Sequence, residues 1–205
     1  MTPSSLILAT RNPAKLQRLR RVFEGLGFDL LDLPATNLTE PEEEGSTHRE
    51  TAERKAAWWS AQLGGLAAAS DGGADIPYLG ATWDGLRTRR AAGPNATDMD
   101  RAHQLLNLMH QATSDERTIH WIEGLAIAEN GRILAGWEQR DLFGTLVHDV
   151  DPKKIAGGFW VNGLVRSARF NRLVADLNET ERAEAESAWA RLRESVVTWH
   201  RSRPG

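Results

Sequence analysis

The 205-residue chain carries 25 lysines and arginines against 28 acidic residues, a net charge of −3, so no basic excess advertises nucleic-acid binding. It has no cysteine, which excludes disulfides, thiolate nucleophiles and zinc–thiolate sites and agrees with a reducing, cytoplasmic setting. No apolar stretch approaches the roughly 20 residues of a membrane helix, and the length fits a single domain over residues 1–205.

The chain opens on Leu6 to Ala9, a short apolar run without a period that predicts a strand covered on both faces. Thr10-Arg11-Asn12-Pro13-Ala14-Lys15 then reads as a polar turn entering a helix, with Asn12 placed to cap it and Pro13 at the first helical position. A helix N-terminus ringed by Thr10, Asn12 and Lys15 suits an anion, most simply a phosphate. An ordinary strand-to-helix connection with a surface lysine fits the same residues. Leu16, Leu19, Val22, Phe23 and Leu26 recur at helical spacing, and Phe28 to Leu33 supplies a second strand before Pro34. Strand, helix, strand predicts a parallel pair and an α/β architecture.

The acidic run Glu40 to Glu44 reads either as a solvated loop or as the source of a carboxylate for a hard cation such as magnesium. Thr47-His48-Arg49-Glu50 fits a capping box that opens a helix over Thr47 to Leu63, which carries Lys55 and stops at Gly64-Gly65. Leu66 to Ser70 is a small-residue strand that leads into Asp71-Gly72-Gly73-Ala74-Asp75. An aspartate at the carboxyl end of such a strand lies where open α/β sheets bind ligands, which makes Asp71 the leading catalytic candidate and Asp75 a second carboxylate nearby. An aspartate that merely opens a glycine turn fits equally. Ala81 to Asn95 reads as a long loop whose Arg87, Arg89 and Arg90 suit phosphate or a partner subunit.

Thr97 to Asp100 caps another helix, with Ala102, Leu105, Leu106 and Met109 as its buried stripe. Trp121 to Ala128 and Arg132 to Gln139 flank Glu129-Asn130-Gly131, a hairpin signal, and Leu142 to Val147 and Phe159 to Val165 predict two further strands. The sheet is therefore expected to be mixed. Asn178 is placed to cap one long helix running to His200.

Four stretches in this order resemble the inosine triphosphate pyrophosphatase family. Leu8-Ala9-Thr10-Arg11-Asn12-Pro13-Ala14-Lys15 is similar to its phosphate-binding turn, with Arg11 where glycine is usual. Glu43-Glu44-Gly45-Ser46-Thr47 resembles its metal loop, and Glu50-Thr51-Ala52 with Lys55 its Glu-Asn-Ala-x-x-Lys helix, with Thr51 for asparagine. Ser70-Asp71-Gly72-Gly73 resembles Asp-Asp-Ser-Gly, with Ser70 in place of the first aspartate. Arg90 with Gly93 and Ala96-Thr97-Asp98 resembles the loop that follows. Gly157-Gly158-Phe159-Trp160-Val161-Asn162 departs from Gly-Gly-Phe-Gly-Tyr-Asp-Pro, and a purine-gripping Ser-His-Arg has no counterpart around Ser187-Ala188-Trp189.

The resemblance implies an α/β fold with a mixed central sheet, flanking helices and two lobes around a cleft. It implies a homodimer that uses magnesium to cleave nucleoside triphosphates to monophosphate and pyrophosphate, with deaminated purines (ITP, XTP) as substrates. Glu43 and Asp71 would hold the metal, Asp71 orienting or deprotonating the attacking water. Thr10, Asn12, Lys15, Lys55 and Arg90 would bind phosphates, and Phe159, Trp160 and Asn162 would line the base site. Ser70 leaves one acidic group fewer, which predicts weaker magnesium binding or a slower rate. The lost purine residues leave two alternatives, another base preference or a catalytically inactive nucleotide-binding protein.

Overall fold

The computed structural model describes residues 4–39, 45–88, 92–93, 95–155 and 159–203. Glu43, Arg89 and Arg90, together with Gly157 and Gly158, lie outside the described residues. The strands are β1 (Ser5–Leu8), β2 (Asp29–Asp32), β3 (Leu66–Asp75), β4 (Thr118–Glu129), β5 (Arg132–Leu146) and β6 (Val165–Ser167). The helices are α1 (Pro13–Phe23), α2 (His48–Leu63), α3 (Asp98–Leu108), α4 (Glu179–Ala185) and α5 (Ser187–Ser202). The strands form a six-stranded sheet in the order β2-β1-β3-β4-β5-β6. Strand β1 pairs in parallel with β2 and β3, whereas β5 and β6 are antiparallel, so the sheet is mixed as expected.

The chain divides into two compact units, the first comprising Met1–Gly72, Glu123–Gln139 and Ala188–Gly205. In this unit the period-2 alternation of the strands gives the sheet two different faces. Leu6, Leu8, Leu66, Ala68, Leu125 and Ile127 pack against Leu19, Val22 and Phe23 of α1 and Trp189, Leu192 and Val196 of α5. Each large side chain buried here contributes about 1.5–3 kcal/mol. The other face is built almost entirely of alanine: Ala67, Ala69, Ala126 and Ala128 meet Ala52 and Ala56 of α2, with Trp59 filling the remaining space. The small side chains let α2 approach the sheet closely, which brings polar groups of its first two turns to the strands.

Helix α1 is fixed at both ends. Asn12 Oδ1 accepts from the N–H of Ala14 at 2.9 Å and of Lys15 at 3.4 Å. At the far end Arg193 of α5 donates to the carbonyls of Arg21, Val22 and Glu24 at 2.6, 2.7 and 3.0 Å, satisfying acceptors that a helix end leaves open. Helix α2 has half of the expected capping box. Thr47 Oγ1 accepts from Glu50 N–H at 3.1 Å, but the Glu50 carboxylate turns to the N–H and hydroxyl of Ser46, at 2.8 and 2.6 Å.

The second unit, Gly73–Ile122 and Arg140–Ser187, has its own core of Ile76, Leu79, Leu105, Met109, Ile119, Leu146, Leu164 and Val174. Inside it the almost fully buried Arg117 donates to three carbonyls, those of Met109, Leu146 and Val147, at 2.7, 2.9 and 2.6 Å.

Four expectations are corrected. Strand β3 does not stop at Ser70 but continues to Asp75, because Gly72 and Gly73 keep a non-positive φ and extend the strand rather than turn it. Strand β5 is one strand over Arg132–Leu146, not two, since the polar break at Arg140-Asp141 is absorbed by partners: Arg140 grips Asp75 at 2.6 Å and Ser187 Oγ donates to Asp141 at 2.5 Å. Phe159 to Val165 is not a strand: a 3-10 turn spans Trp160–Gly163 and only Val165–Ser167 pairs with β5. The last helix is broken at Glu186, whose φ of −93° and ψ of 56° leave helical space between α4 and α5. The Asn130-Gly131 hairpin holds, with φ of 47° and 85° suiting a turn of the primed type. No helix among the described residues is long and apolar enough to cross a membrane.

Candidate active site

The site lies in the first unit and begins at the end of β1. Thr10 Oγ1 accepts from Asn12 N–H at 3.2 Å, so the threonine and asparagine oxygens both shape the turn. The Thr10 hydroxyl hydrogen and the Asn12 amide NH2 are the donors that these side chains can offer an anion beside the helix N-terminus. Arg11 takes no part in that face. Its guanidinium donates to the carbonyls of Thr36 and Leu38 at 3.2 and 2.8 Å and lies 5.8 Å from the Trp59 ring centroid. The arginine that stands where glycine is usual therefore ties the turn to the segment entering the acidic run.

Asp71 stands within β3, 6% exposed, at the centre of a buried cluster. Its Oδ1 is 2.9 Å from Lys55 Nζ and its Oδ2 is 2.7 Å from His48 Nδ1. His48 and Lys55 are seven residues apart, two helical turns, so both project from the same buried stripe of α2. Burial pushes the Asp71 carboxyl up, but the His48 hydrogen bond and the charges of Lys15 and Lys55 outweigh it and hold the group well below the usual carboxylate range. An ionised carboxylate only accepts, so the proton between the two side chains sits on His48 Nδ1. The carboxylate is thereby kept ionised in its buried setting. Its two oxygens have about four lone-pair positions, and among the described residues His48 and Lys55 take two of them.

A second carboxylate, missed in the sequence, is buried on the face of the sheet opposite to Asp71. Glu123 of β4 is fully buried, and its Oε1 lies 3.4 Å from Lys15 Nζ. By strand alternation Glu123 falls on the face of Leu125 and Ile127, and Ser70 on the face of Leu66 and Ala68, which is the same face of the sheet. Among the described residues the buried Ser70 hydroxyl has no hydrogen-bond partner. Next to Glu123, Gly124 lets α2 touch the sheet, since a Cβ there would come within 2.4 Å of the His48 carbonyl carbon and oxygen.

A charged residue inside the apolar run of β4 was the sequence signal for Glu123. His48 had none, because its partner lies 23 residues away. The remaining candidates are placed as follows. Asp75 pairs with Arg140 and is not part of the Asp71 cluster. In the second unit Trp160 is buried in the apolar core, the Phe159 ring lies 5.8 Å from that of Trp121, and Asn162 N–H donates to Phe159 O at 3.0 Å. Among the described residues no group of three or more His, Asp or Glu side chains is gathered to hold a metal. The Asp71 carboxylate is a hard oxygen donor, and it fits a cation that takes one or two carboxylates and completes its shell with phosphate oxygens.

A capped strand-to-helix turn carrying Lys15, beside an Asp71 carboxylate clamped by His48 and Lys55, defines an α/β protein with a built polar site. The chain belongs to the Ham1 family, whose model matches residues 6–148, and the resemblance carried by the four motifs holds. It is similar to a dITP/XTP pyrophosphatase of Thermus thermophilus, 36% identical over 123 residues that make up 60% of this chain and 58% of that protein. The match thus spans less than two thirds of the relative's own length. Among solved structures it is similar to a HAM1 protein from Coxiella burnetii, with a TM-score of 0.79 and 25% identity over 95% of this chain and 99% of that one. It also shares its fold with the Staphylococcus aureus Ham1 protein, with a TM-score of 0.77 and 18% identity over 95% and 98% of the two chains.

Proposed function

We propose that the protein is a nucleoside triphosphate pyrophosphohydrolase that releases a monophosphate and pyrophosphate, with deaminated purine nucleotides such as ITP and XTP as substrates. The observation that carries this reading is the Asp71 cluster, a carboxylate kept ionised by Lys15, Lys55 and His48 beside a helix N-terminus that suits phosphate. The polyphosphate chain binds to the donors of Thr10 and Asn12 and to the ammonium groups of Lys15 and Lys55, with Arg90 as a further cation. Asp71 keeps Lys55 in place and, through its remaining lone pairs, orients the water that attacks the α-phosphorus. His48 fixes the Asp71 carboxylate from the other side.

The cofactor in this reading is Mg2+, held by Asp71 and by Glu43 of the acidic loop. When bound, it neutralises charge on the phosphate oxygens and lowers the pKa of a coordinated water. We further place the protein in the cytoplasm, as a homodimer of chains in which residues 1–205 form one domain. The family match across both compact units supports the single domain.

A second reading, a different base preference, is favoured by one observation. Where the resemblance would put the purine-gripping residues, Ser187 is tied to Asp141 and Trp189 is buried in the core. Pyrophosphate release with Mg2+ over a panel of ITP, XTP, their deoxy forms, the ordinary nucleotides and modified pyrimidines tests both. Turnover greatest on ITP and XTP supports the first reading, turnover greatest elsewhere the second, and no turnover on any nucleotide refutes the enzyme.

A further inference from the structure

Lys15 stands between two carboxylates that belong to opposite faces of the sheet. Glu123 is fully buried on the face that α1 covers, and its Oε1 is 3.4 Å from Lys15 Nζ. Asp71 is on the other face, yet the Lys15 charge acts on it as well. The strand ends explain how one lysine serves both. Strand β1 stops at Leu8, level with Ala68, and Ala9 N–H makes a last bond to Ala68 O at 2.8 Å. Past that level β3 runs on to Asp75 without β1 beside it, so on that side the sheet no longer keeps its two faces apart. Lys15 lies in the first turn of α1, which starts there. Its contact with Glu123 is loose: among the described residues Glu123 Oε1 accepts no hydrogen bond, and charge attraction is what joins the pair. The partners also differ in access. The Lys15 side chain is 15% exposed and that of Glu123 0%, so a ligand arriving from solvent meets the ammonium and not the carboxylate.

We propose that Glu123 is a positioning residue for Lys15: it holds the ammonium at the anion turn and competes for it with the phosphate chain. The proposal rests on the reading above that the turn of Thr10, Asn12 and Lys15 takes phosphate. A lysine is a compact charge on a flexible stem, so a small swing moves it from the carboxylate to a phosphate oxygen. That swing takes from Glu123 a partner that a buried carboxylate needs, and binding is weaker by the cost of parting them. The same cost works in favour of release, because the carboxylate draws the ammonium back as the anion leaves. A pair with one sheltered and one accessible member, joined by charge and not by a hydrogen bond, suits this exchange better than it suits stability.

The test is calorimetric titration of the full chain with inorganic tripolyphosphate, without metal, on the wild type, Glu123→Gln, Glu123→Asp, Lys15→Met and the double variant Lys15→Met/Glu123→Gln. With the competitor gone, Glu123→Gln should bind tripolyphosphate about fivefold more tightly or better. A glutamate that only supports the fold would move the affinity the other way or leave it alone. Lys15→Met should weaken binding by about fivefold or more. Adding Glu123→Gln to it should then change the affinity by less than about twofold, because the effect runs through the lysine. Glu123→Asp draws the carboxylate back by one methylene and should tighten binding to a smaller degree; it decides the matter should the glutamine variant not fold. Unchanged or weaker binding in Glu123→Gln overturns the proposal, and so does tightening that persists without Lys15, which would be general charge repulsion. Where the wild type binds tripolyphosphate and the glutamine variant binds it no more tightly, this inference alone falls. Where neither binds it, the phosphate reading of the turn falls as well.

Discussion

His48 Nδ1 stands 2.7 Å from Asp71 Oδ2, and both side chains are buried. With Lys55 at 2.9 Å on the other oxygen, Asp71 is clamped between a ring and an ammonium carried by one helix. Replacing Lys55 by Met removes one half of the clamp and leaves the carboxylate with less compensation for its burial. Breaking a buried pair in this way should cost about 3 kcal/mol, read from urea denaturation. A change under about 0.5 kcal/mol would show that the pair contributes little to the fold.

The lowered affinity of Asp71 for protons fixes the sign of a pH effect. Its ordinary value in the unfolded chain is about 3.9, and the folded group lies lower. Below about pH 5 the unfolded chain therefore takes up a proton that the native chain does not, and stability falls as the pH drops towards the folded value. Above that window the contribution of Asp71 is complete and flat. Asp71→Asn should flatten the acid limb of stability against pH, measured by denaturation between pH 2 and pH 7. A limb of unchanged slope would show that other carboxylates dominate it.

Gly124 sets how closely α2 approaches the sheet. A methyl group there would lie 2.4 Å from the backbone carbonyl of His48, and backbone cannot rotate away as a side chain can. Gly124→Ala should destabilise the protein by about 1–3 kcal/mol and lower nucleotide turnover by shifting His48 and Lys55 off Asp71. Retained stability together with full turnover would contradict the close contact.

Arg11 points to the carbonyls of Thr36 and Leu38 and away from the Thr10 and Asn12 side chains proposed to bind phosphate. Arg11→Gly should therefore leave the KM for nucleotide unchanged within about twofold and cost about 1 kcal/mol or less, as is usual for exposed side-chain bonds. A large rise in KM would place the guanidinium on the substrate instead.

Much of this was legible in the sequence where the signals are local. The Asn12 cap with Pro13, the Thr97 capping box and the Asn130-Gly131 turn each depend on residues within four positions of one another, and all three form. Asp71 could be singled out as an acid at what read as the carboxyl end of a small-residue strand, although β3 runs on past it to Asp75. What failed were readings that treated glycine or polar residues as stops. Gly72-Gly73 runs straight through β3, and Arg140-Asp141 runs through β5, because partners distant in sequence satisfy them. The clamp on Asp71 was half visible: Lys55 and His48 share a helical stripe, but only the fold shows that β3 lies beneath it. Glu123 was visible as a charge in an apolar strand, yet its pairing with Lys15, 108 positions away in the chain, needs the fold.

The central claim is that this site splits a nucleoside triphosphate between its α- and β-phosphates with Asp71 at the centre. Phosphorus-31 NMR of ITP incubated with the protein and Mg2+ tests it most directly, because it identifies the bond that breaks. The account predicts IMP and pyrophosphate in equal amounts, and loss of activity on the order of 10²-fold or more in Asp71→Asn. Orthophosphate and a diphosphate as the first products, or an Asp71→Asn rate equal to that of the wild type, would contradict it.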